Sequence, residues 1–273
     1  MDIVVTNEES NSLSVFLGNG DGTFSPRFDY PGIVDPLGLA LGDVNEDGSL
    51  DAVVSDFSQN TVSVFLNDGQ ANFDAGTTYP TGDGPSDIKM ADLNGDHHLD
   101  LAVSNLYDGT ISVLPGDGTR NFGPKTDSGY GGGCGLDIAD VTDDGLSDAV
   151  TTGCMRNEAV VLVGNGTFSF PTRRSYPAGT RTVDVVAADL DQDGRTDLVV
   201  SNFQANSVSL LLQRNDLTVG GVAQPIDIGA LPARGHRPAF GGGLALALSL
   251  ALVGLGLYAV RRLRRARQLN RGQ

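Results

Sequence analysis

Four nine-residue segments of the sequence concentrate carboxylates at a fixed spacing. The fourth of them, DLDQDGRTD, has Asp at its first, third, fifth and ninth positions and Gly at its sixth. Like charges packed this closely repel one another unless a cation lies among them, and carboxylate and amide oxygens are the ligands that suit Ca²⁺. The spacing therefore predicts a calcium-binding loop in each segment: DVNEDGSLD at 43–51, DLNGDHHLD at 92–100, DVTDDGLSD at 140–148 and DLDQDGRTD at 189–197.

The predicted ligands of each loop are the side chains at positions one, three, five and nine and the backbone carbonyl at position seven. An EF-hand would need a bidentate Glu at position twelve and flanking helices, whereas position twelve falls here inside a strand pattern. The alternative is an acidic turn without metal, because Asp, Asn and Gly favour turns; four loops in register argue against it. The candidate ligands are Asp43, Asn45, Asp47, Ser49 and Asp51 in the first loop, Asp92, Asn94, Asp96, His98 and Asp100 in the second, Asp140, Thr142, Asp144, Leu146 and Asp148 in the third, and Asp189, Asp191, Asp193, Arg195 and Asp197 in the fourth.

The loops belong to a repeat of about 49 residues. Around each loop lie an alternating apolar segment such as LGLALGD, a β-branched run such as DAVVS, a third run such as SVFLND, and a Gly-rich turn ending in Phe. Period-two segments between turn residues predict four antiparallel strands per repeat, and repeated four-stranded units indicate the blades of an all-β propeller. The predicted blades are residues 1–30, 31–79, 80–127, 128–176 and 177–213.

The first blade is expected to be incomplete. Residues 1–6, MDIVVT, align with residues 50–55, LDAVVS, which lie part-way through a repeat. About 4.5 blades are therefore predicted, as in the C-terminal portion of a longer array. Residues 1–30 also lack the basic start and apolar run of an export signal.

The repeats resemble a known family. DVNEDGSLDAVVS, DLNGDHHLDLAVS and DLDQDGRTDLVVS, with SVFLGNGDGTF, are similar to the FG-GAP/VCBS-type repeats of integrin α-subunit propellers and bacterial surface proteins, over about residues 1–213. The resemblance implies structural Ca²⁺ and cell-surface adhesion or ligand recognition, usually without catalysis. His97 replaces the loop Gly of the family pattern, and Thr142 replaces its third-position Asp or Asn. Weaker metal binding is expected in those two loops.

Charge is divided unevenly along the chain. Residues 1–233 hold all 34 Asp and Glu but only 10 of the 18 Lys and Arg, a net charge of −24, whereas residues 234–273 carry eight Arg and no acid. Nucleic-acid binding needs a basic face on the domain. The acidic body therefore argues against a nucleic-acid partner.

An apolar segment near the C-terminus precedes a run of arginines. It exceeds the ~18 residues that mark a membrane-spanning helix, and basic flanks stay cytoplasmic. We predict residues 214–238 as a linker, 239–260 as one transmembrane helix in the cell membrane, and 261–273 as a cytoplasmic tail, with the propeller outside the cell. Two alternatives stay open: a buried core helix, and cell-wall sorting through the LPARG segment at 231–235.

Cys134 and Cys154 are the only cysteines, and we predict a disulfide between them. Cys134 lies six residues before Asp140 and Cys154 six after Asp148, so two antiparallel strands leaving this loop would place them opposite each other. An extracellular compartment would favour the bond. Two buried free thiols are the alternative.

The loops on the face opposite the acidic segments are the predicted ligand face. They carry Phe57, Tyr107 and Phe203 among polar residues, and exposed aromatic side chains are frequent contact points for partners; half-buried packing is the alternative. No Ser/His/Asp or Cys/His set and no catalytic carboxylate pair outside the loops is found, so no enzyme is predicted. The expected function is a membrane-anchored propeller that binds an extracellular protein or glycan. The alternative function is a carbohydrate-active enzyme or its accessory propeller.

Overall fold

The computed structural model describes residues 1–129, 133–154, 156–213, 224–227 and 257–260. Within these ranges the only helical element is a 3₁₀ turn at Phe57–Gln59, and the prediction of an all-β chain is confirmed. The strands are β1 (Asp2–Asn7), β2 (Ser12–Phe16), β3 (Phe28–Pro31), β4 (Pro36–Gly42), β5 (Asp51–Asp56), β6 (Thr61–Phe65), β7 (Thr77–Pro80), β8 (Pro85–Ala91), β9 (Asp100–Asn105), β10 (Thr110–Leu114), β11 (Thr126–Ser128), β12 (Leu136–Ala139), β13 (Asp148–Gly153), β14 (Glu158–Val163), β15 (Thr172–Pro177), β16 (Thr182–Ala188), β17 (Asp197–Asn202), β18 (Ser207–Leu211), β19 (Gln224–Asp227) and β20 (Leu257–Val260).

Five antiparallel sheets of four strands follow one another as propeller-like blades. Blade 1 has the strand order β20-β1-β2-β3, and blades 2 to 5 pair in chain order as β4 to β7, β8 to β11, β12 to β15 and β16 to β19. The first strands of blades 2 to 5 lie side by side in succession. Each acidic segment therefore joins the first and second strands of its blade, on the same side of the molecule.

The core consists of apolar layers between neighbouring blades. Val53 and Val54 are adjacent residues of β5 and are both fully buried. Because successive side chains of a strand point to opposite faces, Val54 packs with Val4 and Leu13 of blade 1, whereas Val53 packs with Ile88 of blade 3. Burial on both faces explains the continuous β-branched runs that follow the acidic loops.

Two short strands lie where the sequence predicted other structure. β19 falls inside the predicted linker 214–238 and adds a fourth strand to blade 5. β20 occupies the last four residues of the predicted helix 239–260 and pairs with β1, where it takes the innermost position of blade 1. The other residues of the predicted linker, helix and basic tail lie outside the described residues. In the part of the chain that the structure describes, no helix is long and apolar enough to cross a membrane.

Cys134 and Cys154 form a disulfide with 5.9 Å between their Cα atoms. The strand register differs by one residue from the one used to predict it. Ala139, not Asp140, lies opposite Asp148. Asp140, the first residue of the loop, is therefore not part of the strand pairing. The bond still forms because both cysteines lie beyond the last strand pair, Leu136 and Thr151, where the ladder no longer fixes their side chains.

Candidate metal loops and ligand face

The backbone of each acidic loop takes the left-handed conformation at positions four and six. In the first loop these are Glu46, with φ 60°, and Gly48, with φ 89°. The second loop has Gly95 at position four and His97 at position six, with φ 83° and 72°. Glycine adopts this conformation without steric penalty, whereas His does so at a cost. The departure at His97 therefore leaves the course of the loop unchanged and places a strained residue in it.

The first carboxylate of each loop binds the backbone of its own loop. Asp47 N donates to Asp43 Oδ1 at 3.0 Å and Gly48 N donates to Asp43 Oδ2 at 2.8 Å. The third and fourth loops repeat this with Asp144 and Gly145 and with Asp193 and Gly194, whereas in the second loop Asp92 accepts the amides of Gly95 and His97, at positions four and six. The loop is thus wrapped around its first carboxylate.

The ninth Asp of each loop is the first residue of the second strand of its blade and is fully buried. In the first loop, Val44 N donates to Asp51 Oδ2 at 3.0 Å and Asn67 N donates to Asp51 Oδ1 at 2.9 Å. One amide belongs to the loop and the other to the turn after the third strand, so the carboxylate joins the two. Asp100, Asp148 and Asp197 repeat this with Leu93 and Gly116, Val141 and Gly164, and Leu190 and Gln213.

Burial raises the pKa of these four carboxyl groups. The pKa of Asp51 rises to about 6, because burial outweighs the two backbone hydrogen bonds and the carboxylates of Asp47 and Asp43 add to the shift. Burial is also the largest cause for the raised pKa of Asp100, Asp148 and Asp197. A cation placed among these groups would favour their ionised form. The electrostatics of the loops therefore fit a bound divalent cation.

The fourth loop brings three carboxylates together. Oxygens of Asp189, Asp191 and Asp197 all lie within 4.8 Å of one another. Two oxygens bound to one Ca²⁺ can lie up to about 5 Å apart, since each is 2.3–2.6 Å from the ion. The remaining candidate carboxylate, Asp193, accepts a hydrogen bond from Arg195 Nη1 at 2.7 Å. The donor set of this loop fits Ca²⁺, with Asp193 shared between the loop and Arg195.

The other three loops have one carboxylate fewer in their candidate donor sets, because Asn45, Asn94 and Thr142 occupy the third position.

The first and second loops are in contact with each other, which the repeat pattern did not predict. His98 Nδ1 lies 2.6 Å from Glu46 Oε1 of the preceding loop, and this hydrogen bond raises the pKa of His98. Loops one and two are thus linked to each other.

The opposite face of the molecule carries the predicted aromatic residues. Tyr107 is 66% exposed and Phe203 is 65% exposed, whereas Phe57 is half-buried. The rings of Phe57 and Tyr107 lie 5.3 Å apart, so the structure brings these two together across blades 2 and 3. A Cβ at position 84 would lie 2.8 Å from the Tyr107 ring, a clash, and 3.2 Å from the Phe57 ring, a tight contact. Phe203 lies apart from them at the junction of blades 4 and 5, beside Arg181.

A set of asparagines that sequence reasoning missed connects the blades on this face. Asn60 has φ 57°, and its Oδ1 accepts the backbone N–H of Gly84 on the next blade at 3.0 Å. The signal available in the sequence is an Asn directly before the third strand of a repeat, since Asn tolerates the left-handed conformation. The equivalent pairs are Asn11 with Asp35 at 2.9 Å and Asn157 with Arg181 at 2.7 Å.

Acidic residues on the innermost strands form a second set of contacts between blades; Asp87 is buried, whereas Asp137 and Asp184 are half-buried. Asp87 Oδ2 accepts Leu136 N at 2.9 Å, and Asp137 Oδ2 accepts Ala187 N at 2.8 Å, each on the next blade. Asp184 holds the same place on β16 as Asp87 does on β8. Burial, and then the nearby Asp87 carboxylate, raises the pKa of Asp184 to about 6. These groups act in the contacts between blades, away from the acidic loops.

Comparison with solved structures shows the fold. The chain resembles virginiamycin B lyase from Staphylococcus aureus with a TM-score of 0.53 and 16% identity, over 78% of this chain and 63% of that chain. It resembles an Agrocybe aegerita lectin that recognises non-reducing terminal N-acetylglucosamine with a TM-score of 0.52 and 22% identity, over 79% of this chain and 63% of that chain. The chain thus spans less than two thirds of either structure. No curated protein matches it significantly.

The repeats themselves identify the family. The FG-GAP-like repeat matches residues 1–54, 43–103 and 140–200, which together cover more than half of the chain. All four acidic loops lie entirely within these ranges. The resemblance seen in the sequence is confirmed: the chain belongs to the family of FG-GAP-like repeat proteins.

Proposed function

We propose that this chain is a calcium-stabilised propeller domain of the cell surface that binds an extracellular protein or glycan. The ligand would bind the loop face opposite the acidic loops, and the role would be recognition or adhesion rather than catalysis. The observation that carries the proposal is the strong exposure of Tyr107 and Phe203 on that face. Large aromatic side chains left in water on the loops of a rigid scaffold are typical of binding surfaces.

The two faces of the molecule carry different kinds of residues, and this difference supports the proposal. On one face, the ninth Asp of each loop joins that loop to the turn after the third strand, as Asp197 does through both carboxylate oxygens, and the fourth loop gathers three carboxylates. Calcium at this face would hold the blades in place. On the other face, Phe57, Tyr107 and Phe203 lie on loops fixed by the asparagine contacts. The lectin among the similar structures recognises a terminal sugar, which agrees with a glycan as one ligand class.

Substitution of the aromatic residues tests the ligand face. We expect the combined Phe57→Ala, Tyr107→Ala and Phe203→Ala variant to lose binding to cell surfaces and glycan arrays while keeping its melting temperature. A Tyr107→Ala, Phe203→Ala variant keeps the half-buried Phe57 ring, and it replaces the triple variant in this test if the triple variant folds poorly. Phe28→Ala is the matched control, because Phe28 is 53% exposed on the outermost strand of blade 1. Equal binding by the double variant and the wild type would place the ligand elsewhere.

The membrane attachment in this proposal rests on the apolar residues 239–260 and the arginines that follow them. A helix over this segment and strand β20 use the same residues, Leu257–Val260, so the two arrangements exclude each other. Carbonate extraction of membranes, combined with protease treatment of whole cells, decides between them. We expect the chain in the membrane pellet with its propeller cleaved from outside; recovery in the soluble fraction would contradict the anchor.

A further inference from the structure

Three arginines of blades 4 and 5 differ from the other basic residues described by the structure, because they have no carboxylate partner. Nine Lys and Arg lie in residues 1–213. Five of them pair with carboxylates. Burial raises the pKa of Asp87, and Lys89 lies close enough to this carboxylate to oppose the rise. Among the described residues, Arg156, Arg174 and Arg181 pair with no carboxylate, and all three lie in blade 4 or at the start of blade 5. The pairs are Arg27 with Asp29, Arg120 with Asp74, Lys125 with Asp127, Arg173 with Glu158 and Arg195 with Asp193.

The backbone at Arg181 is strained for its residue type. Arg181 has φ 54°, and its N–H is held by Asn157. The same position on other blades is Asp35, with φ 49°, and Gly84, with φ 70°. Asp and Gly tolerate this conformation better than Arg does. Strain of this kind is often retained where a side chain has a function, so the arginine needs a reason beyond the fold.

Arg181 and Phe203 form one unit. The guanidinium carbon of Arg181 lies 5.1 Å from the centre of the Phe203 ring, and Phe203 N donates to Arg181 O at 2.8 Å. A guanidinium stacked on an aromatic ring keeps its N–H edge available for two parallel hydrogen bonds to a carboxylate. The exposed remainder of the Phe203 ring offers an apolar surface beside that edge.

We propose that Arg181 and Phe203 form a subsite for the carboxylate and the apolar face of an acidic sugar, with Arg156, next to the Asn157 that binds Arg181 N, adding positive charge. This inference rests on the proposed function and names a ligand class for it. An isolated acidic sugar fits better than a long polyanion, because residues 1–233 carry a net charge of −24 that repels extended anions beyond the patch. The Phe57–Tyr107 pair, by contrast, is bound through its backbone amides to Asp35 and Asp83, and Asp108 follows Tyr107 and binds Asp83 N, so this pair is surrounded by acids that do not suit an anion.

The experiment titrates the full chain with methyl β-D-glucuronide and with methyl β-D-glucoside, followed by ligand-observed NMR. We expect binding of the glucuronide only, weakened at least about tenfold by Arg181→Gly, because a hydrogen bond to a charged group is lost. Glycine suits the backbone at 181, so this variant keeps its fold. Arg27→Gln removes one charge from blade 1 and should leave binding unchanged.

Three outcomes would overturn the inference. The first is equal glucuronide binding by wild type and Arg181→Gly, and the second is equal binding of the two sugars by wild type. The third is Arg181-dependent binding of acetylated tetraglutamate without glucuronide binding, which would indicate an acidic peptide partner. Loss of surface adhesion in the Tyr107→Ala, Phe203→Ala variant without any glucuronide binding would refute this subsite and leave the proposed function standing. Adhesion unchanged in both variants would refute the proposed function itself.

Discussion

Asp197→Asn separates the structural work of the acidic loops from their metal binding. Asp197 is fully buried, and both of its oxygens accept backbone amides, from Leu190 at 2.9 Å and from Gln213 at 2.8 Å. Asn keeps the shape of the side chain but replaces one acceptor oxygen with an NH₂ group. That group would face an N–H donor, so one buried backbone amide loses its partner.

The structure sets the expected size of the effect. A buried donor without a partner costs about 1–3 kcal/mol. The raised pKa of Asp197 acts in the opposite direction, because Asn removes a buried charge. We therefore expect the free energy of unfolding without calcium to fall by about 1–2 kcal/mol, a loss of about 2–8 °C in melting temperature. Calcium adds a second difference: a site with a dissociation constant of ~0.1 mM contributes about 1.4 kcal/mol at ~1 mM calcium.

Asp191→Asn is the matched control in the same loop. Asp191 is exposed, and loops one and two already have Asn at this position. The variant should melt like wild type in chelator and show a smaller rise with calcium, whereas Asp197→Asn should be less stable in both conditions. Thermal unfolding followed by circular dichroism, with EDTA and with calcium, measures both effects. Equal melting of Asp197→Asn and wild type in EDTA would refute the role of the buried carboxylate. An identical calcium response of all three proteins would refute the metal assignment.

Two further predictions concern the left-handed backbone at His97 and the raised pKa of Asp184. His97→Gly should raise the free energy of unfolding by about 0.5–1 kcal/mol in urea titrations with EDTA, because φ at this position is 72° and glycine relieves the strain; a loss of stability would contradict the reading of loop two. Asp184→Asn should raise the melting temperature at pH 8. The pKa of Asp184 is raised to about 6 in the folded chain, so wild type gains stability as the pH falls from above 6 towards 4. The difference between the two proteins should shrink over that range, and a constant difference would show that Asp184 is not its source.

Strand positions were predictable because they depend on local patterns. The β-branched runs after each loop, such as Ala52 to Ser55, are buried on both faces and lie in β5 and its equivalents. The ninth Asp was predicted only as a metal ligand, and its second role in joining the loop to a hairpin could not be read from the sequence. That role depends on which amide from a turn 16 residues away reaches the carboxylate, as Asn67 does with Asp51.

The missed features share a physical cause. The strand register beside the disulfide was off by one residue, because the turn geometry of the loop, and not its charge pattern, decides where pairing begins. The contacts of Asn11, Asn60 and Asn157 depend on a left-handed backbone and on the position of the neighbouring blade. Strand β20 comes from a segment whose apolar composition suits a membrane helix and a buried strand equally.

The asparagine and inner-strand hydrogen bonds described above each connect a blade with the next blade along the chain. Asn60 reaches Gly84, Asn157 reaches Arg181, and Asp87 reaches Leu136, always one blade further along the chain. An array coupled in this way behaves as a one-dimensional chain of units. Gene duplication could add a repeat of about 49 residues by inserting one more equivalent junction, with little change to the others. Under a pulling force, the same coupling would release the molecule in steps of one blade at a time.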